Sequence, residues 1–365
     1  MNLAIIGGGI TGLSTALEAV KRGANVSVFE RNKIMMGTSR SSTKLLHGGL
    51  RYLENLEFGL VRESLIERSW WIDNVPNLAK PIQLYLPIYK DALRSRLKYK
   101  LGLLLYDILA GKKNIKNHKW LNKTNFIKNN KLLNSNNLDG GFVFYDGQMD
   151  DYNLGLWVAN EAKERGVKIR EDYEIHSFNN QGKFIYSKKN STNNYESKIF
   201  DYIIVAAGSY TEELLVKSNF VSEYKINHVR GSHIIINRHL DKGYFLEYPK
   251  EKRIFFVLPY KNQTMIGTTE EKQDLNDNVQ CSHEEISYLI NGYNYYFKNK
   301  ITKKDVINVF SGLRPLIHSG KNNSNSSREY AIQKNKKIIS IYGGKWTTSR
   351  SLARKICDKI NLIKK

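Results

Sequence analysis

Asn2-Leu3-Ala4-Ile5-Ile6-Gly7-Gly8-Gly9-Ile10-Thr11-Gly12 opens the stretch that decides the fold. The apolar run at 3–6 reads as a buried parallel strand. Past the glycines, Leu13, Ala16, Leu17 and Val20 recur at helical spacing, and Gly23 stops that helix. Residues 25–29 read as a second strand, closed by Glu30. Strand, Gly-x-Gly-x-x-Gly turn, helix, strand and a terminal acid about 20 residues on form the pattern of a dinucleotide-binding βαβ unit. Gly7 permits the tight turn, Gly9 lets a pyrophosphate approach the backbone, and Gly12 lets helix and strand pack closely. The helix N-terminus offers N–H groups and a positive dipole end to the phosphates. Glu30 is placed to accept hydrogen bonds from the hydroxyls of an adenosine ribose.

Two later segments repeat this logic. Residues 200–207 read as a strand ending in Ala207-Gly208-Ser209, where small residues let backbone approach a flat cofactor. Residues 337–342 read as a strand that runs into Gly343-Gly344-Lys345, with a helix over 347–360. Between them, 55–75, 93–110 and 149–165 read as helices, and 167–170 as a short strand. Residues 228–237 and 253–269 alternate as strands of an antiparallel sheet. Asn/Ser/Lys-rich stretches at 187–198 and 319–327 read as exposed loops. The expected fold class is therefore α/β with an α+β second lobe. A Rossmann-like domain (1–78, 145–215 and 335–365) is interleaved with an antiparallel-sheet substrate domain (79–144 and 216–334).

Composition bounds the function. The 365 residues are 41% hydrophobic and 25% charged, the mix of a globular protein rather than a disordered one. The two cysteines, Cys281 and Cys357, sit in no CxxC, so neither a disulfide scaffold nor a structural zinc site is expected, and the pattern fits a reducing compartment. The formal net charge of +22 is compatible with nucleic acid, an anionic membrane surface or an anionic small substrate. No nucleic-acid recognition motif or basic–aromatic tract accompanies it, so no nucleic-acid partner is expected. The sequence starts directly on a strand, without a basic leader, and no run approaches the ~18–20 apolar residues of a membrane span.

Ser39-Arg40-Ser41-Ser42-Thr43-Lys44-Leu45-Leu46-His47-Gly48-Gly49-Leu50-Arg51-Tyr52-Leu53-Glu54 follows the dinucleotide unit. This stretch closely resembles the flavin-dependent glycerol-3-phosphate dehydrogenases. So do Leu60-Val61-Arg62-Glu63, Gly231-Ser232-His233, Ile266-Gly267-Thr268-Thr269, Ser311-Gly312-Leu313-Arg314-Pro315-Leu316 and Gly343-Gly344-Lys345-Trp346-Thr347-Thr348, in that order. The sequence departs from the family at Ala206-Ala207-Gly208-Ser209-Tyr210, at Arg40, and at Glu270, where the family often has Asp. The family's usual helical C-terminal domain has no expected counterpart here.

The resemblance implies non-covalent FAD and oxidation of sn-glycerol 3-phosphate to dihydroxyacetone phosphate, with hydride passing from C2 to flavin N5 and electrons on to a quinone or similar acceptor. Alternatives are an oxidase using O2, or an FAD oxidoreductase for another small anionic hydroxy or amino acid. Implied cofactor contacts are Gly7, Gly9, Gly12, Glu30, Arg31, Thr38, Ser39, Ser42, Lys44, Leu45, Gly208, Gly344, Lys345, Trp346 and Thr347. Arginine suits a phosphate because its planar fork binds oxygens in pairs; Arg51, Arg314 and Arg328 are candidates, with Lys345, Tyr52 and Thr269 beside them. His233 and His47 are candidates for the C2 hydroxyl proton, because an unperturbed imidazole titrates near neutrality. Arg314 is the alternative group for orienting or activating that hydroxyl. The basic, leucine-rich segment at 93–105 reads either as a core-packing helix, the more favoured reading, or as a surface that lies on anionic lipid. The expected location is cytoplasmic, with a peripheral position on the inner face of the cytoplasmic membrane as the open alternative.

Overall fold

The computed structural model describes residues 1–191, 194–249, 251–318 and 330–363. Arg328 and the 319–327 stretch lie outside these. The opening unit is β1 (Asn2–Ile6), α1 (Ile10–Lys21) and β2 (Asn25–Glu30). It lies within a six-stranded sheet whose order is Tyr330–Asn335, Ile338–Gly343, Tyr202–Val205, β1, β2, Lys168–Glu171. Every neighbour pair is parallel except the hairpin formed by the first two strands.

The unbroken apolar run of β1 follows from burial on both faces. Leu3 and Ile5 pack into a core with α1 and the helices Asp151–Glu164 and Ser349–Lys359. Ala4 and Ile6, pointing the other way, pack with Phe178, Phe184 and Tyr186 of a small antiparallel sheet, residues 173–199. The turn between β1 and α1 needs its glycines. Gly7 has φ of +108°, and a Cβ on Gly12 would sit 1.9 Å from the Gly7 carbonyl oxygen.

The second sheet has ten strands among the described residues and is largely antiparallel. It draws on Leu45–Leu46, Ala79–Tyr89, Leu138–Met149 and the strands between residues 226 and 317. Ile82, Leu84, Leu86 and Ile88 alternate onto one face, against α2 (Phe58–Asn74) and α3 (Arg96–Ala110). Tyr85 and Tyr89 face the other side, where the helix His283–Tyr296 packs. The strand Leu138–Met149 crosses the boundary expected at 145, and Tyr330–Asn335 joins the parallel sheet ahead of the boundary expected at 335. α2 links the lobes: its Leu60, Val61 and Leu65 enter the antiparallel core, while Trp71 enters the parallel one.

α3 packs on the core with its basic residues exposed, as the more favoured expectation has it, but through a face other than that of most of its leucines. Tyr99, Leu103, Tyr106 and Ala110 take the core face. Leu97, Leu101, Leu104 and Ile108 are 63%, 53%, 46% and 62% exposed, with Leu93 and Leu105 beside them. The aromatic side chains fill the space under the helix, so the leucines are turned outward. Arg94 is not part of that surface; it is buried between Glu54 and Glu247 at 2.7 Å from each. No helix among the described residues is long and apolar enough to cross a membrane.

Candidate active site

A cavity of about 650 Å³ opens at the carboxyl ends of β1, β2 and Tyr202–Val205 and runs to the antiparallel sheet. Its volume lies within the roughly 300–1,000 Å³ of small-molecule sites. Open parallel sheets bind ligands at this end of their strands. One half of the wall is backbone. Gly7, Gly9, Gly208 and Gly344 line it, and Gly9 caps α1 with no side-chain hydrogen bond. Glu30 lines it as well, its carboxylate accepting from Gly8 N–H at 2.7 Å and Asn32 N–H at 2.9 Å.

Loops from distant segments close around this cradle. Ser39 Oγ accepts from Ile10 N–H at 3.0 Å, so the 38–42 loop is tied to the start of α1. Thr38 Oγ1 donates to Leu313 O at 2.6 Å, which brings the same loop onto the second sheet. Trp346 Nε1 donates to Ser39 O, and Trp71 Nε1 donates to Thr347 O, each at 3.1 Å. These bonds fix the Gly343–Thr347 turn against the cradle. Arg31, Ser42 and Leu45 also line the cavity; the Arg31 guanidinium stacks 4.3 Å over Tyr210.

The other half of the wall is built by register. Strands Ile226–Ile236 and Val306–Ile317 pair His233 with Phe310, Gly231 with Gly312, and Val229 with Arg314. Alternation puts these positions on one face. The paired glycines open a gap between the two functional side chains. The Arg314 guanidinium lies back over Gly231, where a Cβ would be 2.2 Å from Nη2. On the opposite flank, Gly267 pairs with His233, and a Cβ there would be 2.1 Å from the imidazole Cδ2. The Gly-Ser-His and Ile-Gly-Thr-Thr motifs are therefore one steric unit.

His233 stacks on Phe310 with ring centroids 4.7 Å apart and planes 9° from parallel. Its Nε2 is 3.0 Å from Thr43 Oγ1, and Nδ1 has no hydrogen-bond partner among the described residues. It is 2% exposed. Burial, with Lys44 and Arg314 nearby, holds its pKa well below the ordinary histidine value. It is thus a neutral imidazole at neutral pH and does not titrate there, contrary to the sequence expectation. His47, Tyr52, Lys345 and Thr347 join it on the lining. Lys345 Nζ sits 3.6 Å over the Tyr52 ring.

Two expected contacts are placed otherwise. Lys44 is buried, and its ammonium is spent on Asp151, at 2.7 and 2.8 Å, and on Arg40 O. Thr269 is 1% exposed. Its hydroxyl accepts from Ser232 N–H at 2.8 Å and donates to Glu285 at 2.5 Å, while its carbonyl accepts from Arg314 Nη2 at 2.5 Å. Both residues position the lining instead of forming it. Gly12 likewise acts through packing.

The structure also brings in residues that sequence reading passes over. Phe310 supports His233, Thr43 bonds it, and Arg253 approaches Glu270 at 3.9 Å. Arg253 opens the 253–269 stretch that reads as strand, a reading that does not say what its side chain meets; only the pairing of remote strands places it here. Arg51 Nη2 and Arg314 Nη1 reach the same carboxylate, at 4.0 and 3.3 Å.

The glycine wall, the helix start at Gly9 and Glu30 at the end of β2 would suit an adenine dinucleotide. A family model described as FAD dependent oxidoreductase matches residues 2–354. The aerobic glycerol-3-phosphate dehydrogenase of Staphylococcus aureus (strain USA300) is 31% identical, over 99% of this chain and 67% of its own length. The structure of the glycerol-3-phosphate dehydrogenase from Bacillus halodurans complexed with FAD superposes with a TM-score of 0.78 at 26% identity. That match covers 99% of this chain, which spans 64% of the Bacillus halodurans chain. The L-alpha-glycerophosphate oxidase from Mycoplasma pneumoniae shares the fold, with a TM-score of 0.82 at 17% identity over 99% of this chain and 94% of its own. With the glycine cradle and a match over nearly its full length, the chain belongs to the FAD-dependent oxidoreductase family, among relatives of the aerobic glycerol-3-phosphate dehydrogenases.

Proposed function

We propose that the chain oxidises sn-glycerol 3-phosphate to dihydroxyacetone phosphate and passes the electrons to a quinone at an anionic membrane surface. The observation that carries the substrate is the cationic end of the cavity, where Arg314 and Lys345 stand beside His47, Tyr52 and His233. Arg51 and Arg253 lie close behind, around Glu270. FAD, when bound, supplies the two-electron acceptor. Gly7, Gly9 and the N-terminus of α1 would hold its pyrophosphate, Glu30 its ribose, and Gly208 and Gly343–Thr347 its ring.

The protein's own part is binding, orientation and proton handling. Arg51, Arg314 and Lys345 receive the phosphate. Arg314 is fixed by Thr269 O and also reaches toward the C2 oxygen. His233, on the lining and held in the unprotonated form by burial and by the charges of Lys44 and Arg314, takes the hydroxyl proton. Phe310 and Thr43 hold the ring so that it cannot turn away. His47, also on the lining, bonds through its backbone N–H to Thr347 Oγ1 at 3.3 Å.

The outward leucines of α3, flanked by exposed Arg96, Lys98 and Lys100, support the membrane part of this reading. An apolar stripe bordered by cations suits an anionic lipid surface. Anaerobic mixing with glycerol 3-phosphate, glycerol, lactate and amino acids tests the substrate. Loss of the visible flavin band with glycerol 3-phosphate alone is expected; bleaching by an amino acid or lactate in its place would remove the assignment. Peroxide formed in stoichiometric yield under air would remove the quinone.

A further inference from the structure

Glu270 stands among three arginines. Its Oε1 is 3.3 Å from Arg314 Nη1 and 4.0 Å from Arg51 Nη2, and its Oε2 is 3.9 Å from Arg253 Nε. These separations are longer than the ~2.7–2.9 Å of a charge-assisted hydrogen bond. The carboxylate is 9% exposed and the arginines 18–22%, so the cations are reachable from solvent while the anion sits inside them.

Two of the arginines have anchors of their own. Arg314 Nη2 donates to Thr269 O at 2.5 Å, and Arg253 Nη2 to Thr268 O at 3.4 Å. The Arg253 guanidinium also stacks 5.3 Å over Tyr288. The cluster does not depend on Glu270 alone for its shape. Among the described residues, three guanidiniums face the one carboxylate of Glu270, an excess of cation that suits a phosphate dianion.

We propose that Glu270 is an internal competitor for the phosphate of the substrate. Its carboxylate occupies the arginine cluster in the free enzyme, and a phosphoryl group displaces it by side-chain rotation, taking over the three guanidiniums. A monoanionic carboxylate gains less from the exchange than a dianion, so the exchange favours phosphoesters over hydroxy acids. Arg253 joins Arg51, Arg314 and Lys345 as a phosphate ligand. The proposal rests on the phosphate reading of the cavity.

The test is binding of inorganic phosphate to the FAD-loaded protein, followed by calorimetry and by its competition with glycerol 3-phosphate. Glu270→Gln keeps the shape and removes the competing charge, and should bind phosphate about tenfold more tightly than the parent. Glu270→Asp draws the carboxylate back by one methylene; it should also bind more tightly, by a smaller factor, and decides the matter if the Gln variant does not fold. Arg253→Ala should weaken phosphate binding in both the parent and the Glu270→Gln background. A flavin-loaded Glu270→Gln protein that binds phosphate no more tightly than the parent overturns the proposal. Tighter phosphate binding in an enzyme that glycerol 3-phosphate cannot bleach would leave Glu270's role standing and remove the substrate reading. Bleaching with unchanged phosphate affinity would do the reverse.

Discussion

On the parallel-sheet side, the cavity wall is Gly7, Gly9, Gly208 and Gly344; on the antiparallel-sheet side it is His233 and Arg314, held over Gly231 and beside Gly267. The first side works by leaving side chains out, so that main-chain N–H groups and a helix end meet the ligand. The second works by projecting long side chains through gaps that glycines make. The difference has a practical consequence. Damage to the first side should cost the cofactor and the fold together, whereas damage to the second should cost turnover and leave the cofactor in place.

The largest effect should come from Gly12→Val. Its Cβ would lie 1.9 Å from Gly7 O, backbone against backbone, with no flexible atom to move. Overpacking of this kind costs about 3 kcal/mol or more. Loss of bound flavin and a lower melting temperature are the expected readouts; a stable yellow protein would break the comparison on its first side.

Arg314→Ala should come next. Removing a positioned charged donor costs roughly 100-fold or more in kcat/KM, here with flavin content and melting temperature nearly unchanged. Steady-state kinetics beside a flavin-to-protein absorbance ratio measures both.

A pH profile sharpens the role of His233. Its folded pKa lies well below the unfolded value of about 6.5. The unfolded chain therefore binds the extra proton first as pH falls. The stability that this neutral imidazole contributes is full above about pH 6.5 and is lost progressively as pH drops toward the folded pKa. The acidic limb of kcat/KM should likewise fall well below pH 6.5. Arg314→Ala removes one of the cations that depress the imidazole and should move that limb upward.

The smallest stability effect should come from Leu101→Asp with Leu104→Asp. Both side chains are exposed, so stability should change by no more than about 0.5 kcal/mol, while flotation with anionic liposomes at low salt should disappear. Unchanged flotation would take α3 out of the membrane reading.

The same contrast explains what is legible in the sequence. The glycine wall is local: Gly7, Gly9, Gly12 and Glu30 lie within one βαβ unit, and their spacing carries their geometry. The arginine side is not local. Arg51, Arg253 and Arg314 come from three remote segments, and the strand reading of 253–269 does not say which side chains stand beside Arg253. Lys44 reads as a cofactor contact for a related reason, since its partner Asp151 lies 107 positions away. The outward leucines of α3 show the limit of periodicity. Helical spacing identifies a stripe, but Tyr99 and Tyr106 decide which stripe faces the core.

The most direct test of the central claim is the anaerobic rate at which glycerol 3-phosphate bleaches the flavin, compared between the parent and Arg314→Ala at equal flavin content. The account predicts full bleaching of the parent and a rate lower by roughly 100-fold or more in the variant. Equal rates, or a variant that has shed its flavin, would contradict it.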